Sequence, residues 1–386
     1  MSASRPRFSN IDEPANGVCR LPASLDRSSG HTGINVMTQS SLPATLRDGA
    51  HLDELLSEPN EGVVETMRGM LGDLILLGVG GKMGPSLARM ARRASAAARI
   101  SRRIIAVSRF QGASGGGLEA QLNDWDIETM HCDLLDRDAL NRLPEVPNVV
   151  FMAGMKFGAM GQEPMTWAMN SWLPGMVCEK FRHSRIVAFS TGNVYPLTPL
   201  GLGGAAESDP LGPTGEYAMS CLGRERIFEH FSRMLDIPMA ILRLNYAVAV
   251  RYGVLVDVAR CVWQEKPISL AMGAVNVIWQ ADANAMALRA IDHAASPPFF
   301  VNIAGPDQVG IRGAADQFGA LMSKTPVFEG EESPSALLSN GQLGVRLFGY
   351  PRVSVRQMVE WIADWVMRGG EDLGKPTHFE VRDGKF

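Results

Sequence analysis

Cysteine is scarce in this 386-residue chain, and the five present (Cys19, Cys132, Cys178, Cys221 and Cys261) form no C-x-x-C pair. That spacing argues against a disulfide framework and against a structural zinc site, so no metal is expected. Positive charge is not in excess either. Lys and Arg number 37 against 41 Asp and Glu, a formal net charge of −4. No basic surface for nucleic acid or an anionic membrane is therefore expected. No apolar run is long enough to span a bilayer. The opening stretch "MSASRPRFSNIDEPANG" lacks the apolar core of a signal peptide, so the expected compartment is a reducing cytoplasm. Residues 1–45 are rich in Ser, Pro, Asn and Gly and read as a disordered extension, with Met37 opening a segment that runs better into the helical stretch after it.

What is present is core-forming material. Hydrophobic residues make up 46% of the chain, enough for a two-lobed unit of about two domain-equivalents. Residues 46–72 read as a short helical lead-in. From residue 73 the pattern alternates: "DLILLG", "RIIAVS", "DIETMHCD", "NVVFMAG", "RIVAFST" and "PMAILRL" are short apolar strands, with helical spacing between them. The helices include Pro164 to Phe181 and the one carrying Tyr217. Such alternation predicts an α/β fold, a Rossmann-type doubly wound parallel sheet, over 73–245. Residues 246–386 form a smaller C-terminal substrate lobe, with 275–305 returning to the first domain. Near the end, Ser354 and Gln357 resemble a capping box ahead of an apolar helical stripe. The last stretch, "GKPTHFEVRDGKF", is polar and expected to dock across the surface.

The first strand passes into the first helix through "LGVGGKMG", with glycines at Gly78, Gly81 and Gly84. The commoner G-x-G-x-x-G spacing would need glycine where Met83 stands. Glycine permits a tight turn and close approach of backbone to a pyrophosphate, and the helix N-terminus offers free N–H groups to the phosphates. Gly78, Gly81, Lys82, Met83 and Gly84 are thus candidates for holding a dinucleotide, with a ligand-free tight turn as the alternative. The second strand ends in Ser108 and Arg109, without the acid an NAD ribose usually meets. Arg109 and Ser108 suit a 2′-phosphate, so NADP is favoured over NAD. Asp133, closing the third strand, could accept from the adenine amino group or could cap a helix.

These segments, with "VVFMAGMKFG", "MNSW", "FSTGNVYP", "YAMSC" and "LRLNY" in order, resemble the extended short-chain dehydrogenase/reductase family, also called the NAD-dependent epimerase/dehydratase family. The resemblance implies hydride chemistry at a nicotinamide. Thr191 then matches the residue that bonds the reacting substrate oxygen, and Tyr217 the one that takes or returns a hydroxyl proton. Asn170 matches an organiser of the active-site helix. Ala153, Gly154 and Lys156 match a stretch beside the cofactor. Family members often pair through helices like those near Pro164 and Tyr217, which implies a homodimer.

One position departs from the family: four residues after Tyr217, where a lysine is usual, stands Cys221. A lysine there lowers the phenol's pKa from about 10, and a neutral thiol cannot. Three readings stay open. Another cation, Arg224 or Lys156, substitutes; or the chemistry has shifted, with Cys221 taking part; or the site binds NADP without turnover, as a regulator or scaffold. Cys221 as plain packing is the plainer alternative. The expected function is NAD(P)-dependent oxidation, reduction or epimerisation of a sugar-like substrate. Asn245, Arg251 and Trp279 are expected to line its cleft, with a surface ion pair as the alternative for Arg251. Asp282 is expected to be structural.

Overall fold

A computed structural model describes residues 42–111, 115–156 and 161–385. Most of the expected disordered extension lies outside the described residues, as do Phe157 and Gly158 of "AGMKFG". Within the stretch read as disordered, Pro43 is already docked: its carbonyl accepts from Trp361 Nε1 at 2.9 Å.

Seven strands form one parallel sheet: β1 (Leu74–Leu77), β2 (Ile104–Ser108), β3 (Glu128–His131), β4 (Asn148–Phe151), β5 (Arg185–Thr191), β6 (Met239–Leu244) and β7 (Phe299–Ile303). Their order across the sheet is β3-β2-β1-β4-β5-β6-β7. The apolar runs are continuous because both faces are covered. Leu74, Leu76, Ala106 and Val150 point into one core, while Ile75, Leu77, Val107 and Val149 point into the other. A two-residue side-chain period thus feeds two buried layers at once.

The chain enters through α1 (Gly49–Leu56) and α2 (Glu61–Gly69), whose first turns are capped by Asp48 and Asn60. The first core is covered by these, by α3 (Gly84–Ala97) and by later helices. Helix α4 (Gly115–Asp124) precedes β3, and the short α5 (Arg137–Asn141) precedes β4. The helix expected from Pro164 to Phe181 is broken in two. Helix α6 (Glu163–Trp167) passes through a wide π turn at Ala168–Trp172 into α7 (Leu173–Lys180). The extra residue in a π turn rotates the next helical turn about the axis, and here Asn170 lands fully buried. Helices α7 and α8 (Gly215–Leu235) cover the second core.

After β6, helices α9 (Val254–Trp263), α10 (Gln280–Arg289), α11 (Ile311–Met322), α12 (Gln342–Phe348) and α13 (Val355–Met367) alternate with short two-stranded ladders. Ser354 caps α13 by accepting from Gln357 N at 3.2 Å. The C-terminal helices and the first-domain helices bury residues in the same core, from Met67 and Leu87 through Val258 and Phe318 to Trp361. No helix among the described residues is long and apolar enough to cross a membrane.

Candidate active site

The strand order reverses between β1 and β4, and the crevice opens at the C-terminal ends of these strands, as open α/β sheets require. The loop after β1 is held by contacts that leave no room for side chains. Gly78 has φ +92°, and a Cβ there would meet Ala153 N at 2.7 Å. A Cβ on Gly84 would sit 2.0 Å from Val79 O. Gly80, which lies outside the G-x-x-G-x-x-G spacing, would put one 2.7 Å from Ser108 Oγ. Gly81 faces open space by comparison. Helix α3 then starts with Pro85 in its first turn and no side-chain cap, so its leading N–H groups stay available to an anion. Met83, an expected cofactor contact, instead packs its side chain into the core at 5% exposure. It faces inward because it lies on the buried side of the turn into α3.

A cleft of about 620 Å³ runs along this loop, within the size range of small-molecule sites. Ser108, Arg109, Asp133, Ala153 and Gly154 all line it, together with Gly78 and Gly81. Arg109 is exposed on the rim and makes no side-chain bond among the described residues. Asp133 is exposed too, with Oδ1 accepting from Leu135 N at 3.1 Å. The cap of α5 is Asp136 rather than Asp133. Lys82 bends away from the cleft: Nζ donates to Ala247 O at 3.1 Å and stands 3.6 Å over the Tyr252 ring.

Thr191 ends β5 and Tyr217 lies in the first turn of α8, so the sheet and the helix bring the two together. The Tyr217 hydroxyl is hydrogen-bonded to both Thr191 and Cys221. Thr191 Oγ1 also accepts from Asn193 N at 3.2 Å and Nδ2 at 2.9 Å. Burial pushes the Tyr217 phenol well above its ordinary range, Cys221 adds to the rise, and Arg224 opposes it. Cys221 is fully buried, and burial also raises its thiol, so it stands as a neutral group. Lys156 places Nζ 5.8 Å from the centre of the Tyr217 ring. Burial lowers Lys156 to about 8, against the attraction of the Asp257 and Glu380 carboxylates. Burial, with repulsion from Lys156, lowers Lys82 to about 7.

Arg224 is the other cation. Two helical turns after Tyr217, its side chain runs beneath the end of β4. Nη1 donates to Phe189 O at 2.8 Å, and Nη2 donates to Asn170 Oδ1. Asn170 also joins Met155 N and O, both at 3.0 Å, and donates to Ser220 Oγ at 2.9 Å. A Cβ on Gly154 would lie 2.4 Å from Arg224 Nη2, so this glycine exists to admit the guanidinium. Cys221 thus has two cationic neighbours, Lys156 from the segment after β4 and Arg224 from lower on α8.

Beneath Thr191 lies a polar network that the sequence did not announce. Glu225 is fully buried and accepts from Ser190 Oγ at 2.6 Å. It pairs with Arg243, Nη2 to Oε2 at 2.8 Å and Nε to Oε1 at 3.1 Å. Arg243 Nη1 donates to Tyr195 OH, which donates to Asn302 Oδ1 at 2.9 Å. Ser190, Tyr195 and Arg243 come from the quoted motifs, but their pairing links β5, α8, β6 and β7 across long stretches of chain.

The expected substrate contacts divide. Asn245 is buried next to Gly192, just past Thr191, and its Nδ2 has no partner among the described residues. Arg251 does not enter the crevice: it pairs with Asp53 of α1 at 2.5 Å and with Glu371 at 3.3 Å, because the turn before α9 presents it to the lead-in helix and the tail. Trp279 is 1% exposed and packs on Trp361, ring centres 5.3 Å apart, so it is core and not cleft. Asp282 accepts from Val353 N at 3.1 Å; burial raises its carboxyl to about 6.

A glycine-cradled cleft at the switch point of a doubly wound sheet defines the class: a Rossmann-type α/β protein. Residues 74–253 match the model of the NAD dependent epimerase/dehydratase family. Among solved structures the fold is similar to UDP-glucuronic acid 4-epimerase from Bacillus cereus in complex with NAD. That match has TM-score 0.64 and 17% identity over 77% of this chain and 97% of the other. The same enzyme with UDP-glucuronic acid and NAD matches at TM-score 0.62 and 16% identity, over 77% and 99%. UDP-glucose 4-epimerase from Thermotoga maritima with UDP-glucose matches at TM-score 0.62 and 13% identity, again over 77% and 99%. No curated protein matches the sequence.

Proposed function

We propose that this chain is an NAD(P)-dependent oxidoreductase or epimerase acting on a sugar-like, polyhydroxylated substrate. The observation that carries the reading is the Thr191–Tyr217–Cys221 hydrogen-bonded row beside a glycine-cradled cleft. The bare loop at Gly80 and the free N–H groups of α3 suit a pyrophosphate. The exposed Arg109, with Ser108 behind it, suits a 2′-phosphate, so NADP is preferred and NAD is the alternative. The nicotinamide ring would supply the hydride acceptor or donor.

The protein's own groups handle the proton. Tyr217, held neutral by burial, gives its proton to an oxygen gaining charge, and Thr191 holds that oxygen in reach. In the reverse direction Tyr217 must accept a proton, and Lys156 and Arg224 supply the positive field that Cys221 does not. Asn170 and Glu225 are positioning residues: one fixes Arg224, the other fixes Ser190 and hence Thr191. Exposed Trp172 and Met165 on the α6–α7 stretch offer a surface on which a second copy would pair.

A second reading is a non-catalytic dinucleotide-binding regulator, favoured by the neutral Cys221 beside Tyr217. Turnover separates the two. The purified protein is assayed for NADPH formation or use, and for epimerised product by chromatography, against a panel of aldoses, uronic acids and their nucleotide forms. The enzyme reading expects turnover that Tyr217→Phe reduces by at least about a hundredfold, the contribution typical of acid–base groups, with dinucleotide affinity kept. Turnover equal in the variant would refute the role of Tyr217. Tight dinucleotide binding with no turnover on any member would favour the regulator.

A further inference from the structure

The open cleft stops short of the substrate end. Every residue lining it lies between Gly78 and Met169, and none comes from the C-terminal lobe. Beyond it the space between the lobes is crossed by the end of the chain. Thr377 is anchored to α9, with its N and Oγ1 both donating to Asp257 Oδ2, at 2.8 and 2.6 Å. Phe379 is buried at 6% exposure. Arg382 Nη1 donates to Ala271 O at 3.0 Å and Ser335 O at 2.7 Å. Gly384 lies against the start of α8: a Cβ on Gly215 would be 2.4 Å from Gly384 O, and one on Gly384 would be 2.2 Å from Thr214 O. Both glycines have positive φ, so two bare backbones meet two residues before Tyr217.

Between these anchors comes Glu380. Its carboxylate is near enough to Lys156 and Tyr246 to bias their protonation, and Lys156 stands over the Tyr217 ring. The strap therefore joins both lobes, and the charge of its central acid is felt by the lysine beside the Tyr217 phenol.

We propose that the segment from Thr377 to Gly384 is the outer wall of the substrate pocket, fitting it to a monosaccharide-sized polyol and excluding one still joined to a nucleoside diphosphate. The inference rests on the dinucleotide-dependent reading of the site. A substrate of that size reaches Thr191 and Tyr217 beneath the strap. One carrying a diphosphate and a base needs the room that Phe379 and Glu380 fill.

The test titrates UDP-glucuronic acid, by calorimetry and with saturating NADP(H), into the wild type and the Thr377→Val/Arg382→Ala variant, which lacks both side-chain anchors. The expected result is at least tenfold tighter binding by the variant, with NADPH affinity within twofold of wild type. Should the double variant fail to fold by circular dichroism, Glu380→Ala, at a half-buried side chain, is used and should gain at least threefold. Equal affinity in wild type and variant, including no binding by either, would overturn the wall. Loss of NADPH binding by the wild type itself would instead count against the underlying functional reading.

Discussion

Replacing Glu225 with glutamine probes the support of the site at its most buried point. Glu225 is fully buried and Arg243 is 4% exposed, with three nitrogen–oxygen contacts between them of 2.8, 3.1 and 3.3 Å. A further bond comes from Ser190 Oγ at 2.6 Å. Glutamine keeps the shape but loses the charge and turns an NH₂ group towards the guanidinium or the hydroxyl. The Arg243 cation stays buried without a counter-ion, which typically costs about 3–5 kcal/mol. Tyr195 and the Glu207 carbonyl still bond Arg243, so the lower end of that range is expected. Chemical unfolding in urea, followed by circular dichroism, would show the midpoint fall with little change in slope. Turnover should fall as well, because Ser190 adjoins Thr191 and Glu225 shares α8 with Tyr217. A loss below about 1 kcal/mol would show that the pair does not hold the sheet to α8.

Two further outcomes concern the cations. Gly154→Ala puts a methyl where Arg224 Nη2 lies, 2.4 Å from the added carbon, so it should cost about 1–3 kcal/mol and lower kcat more than it weakens NADPH binding. The pH dependence of NADPH binding reads Lys156. It loses its proton near 8, so it is charged below that value and neutral above it. Affinity for the anionic dinucleotide should therefore fall on the order of tenfold from pH 6 to pH 9, one unit charge at partial screening. Lys156→Met should flatten the upper part of that fall.

Much of the fold was legible because parallel strands in a doubly covered sheet leave a plain trace: "LILL" and "NVVF" are apolar on both faces. Helix α9, "VLVDVARCVW", hid behind its valines, which favour strands, although Asp257 and Arg260 mark a polar side at helical spacing. The glycine loop was readable by its place between strand and helix. Its spacing, however, pointed past Gly80, whose contact with Ser108 is made across strands. Residue type alone misplaced Trp279 and Arg251, since neither a buried indole nor a paired guanidinium reveals which surface it meets. The linkages of Glu225 with Arg243, and of Gly154 with Arg224, join residues far apart in sequence. Only the folded arrangement brings them together. The C-terminal strap was legible as a docked segment but not as a neighbour of Tyr217.

The most direct measurement of the central claim is calorimetric titration of the purified chain with NADPH and, separately, with NADH. The account predicts that both bind, NADPH more tightly, and that Arg109→Ala removes most of the difference while leaving NADH affinity in place. Failure of both dinucleotides to bind at millimolar concentration would contradict it.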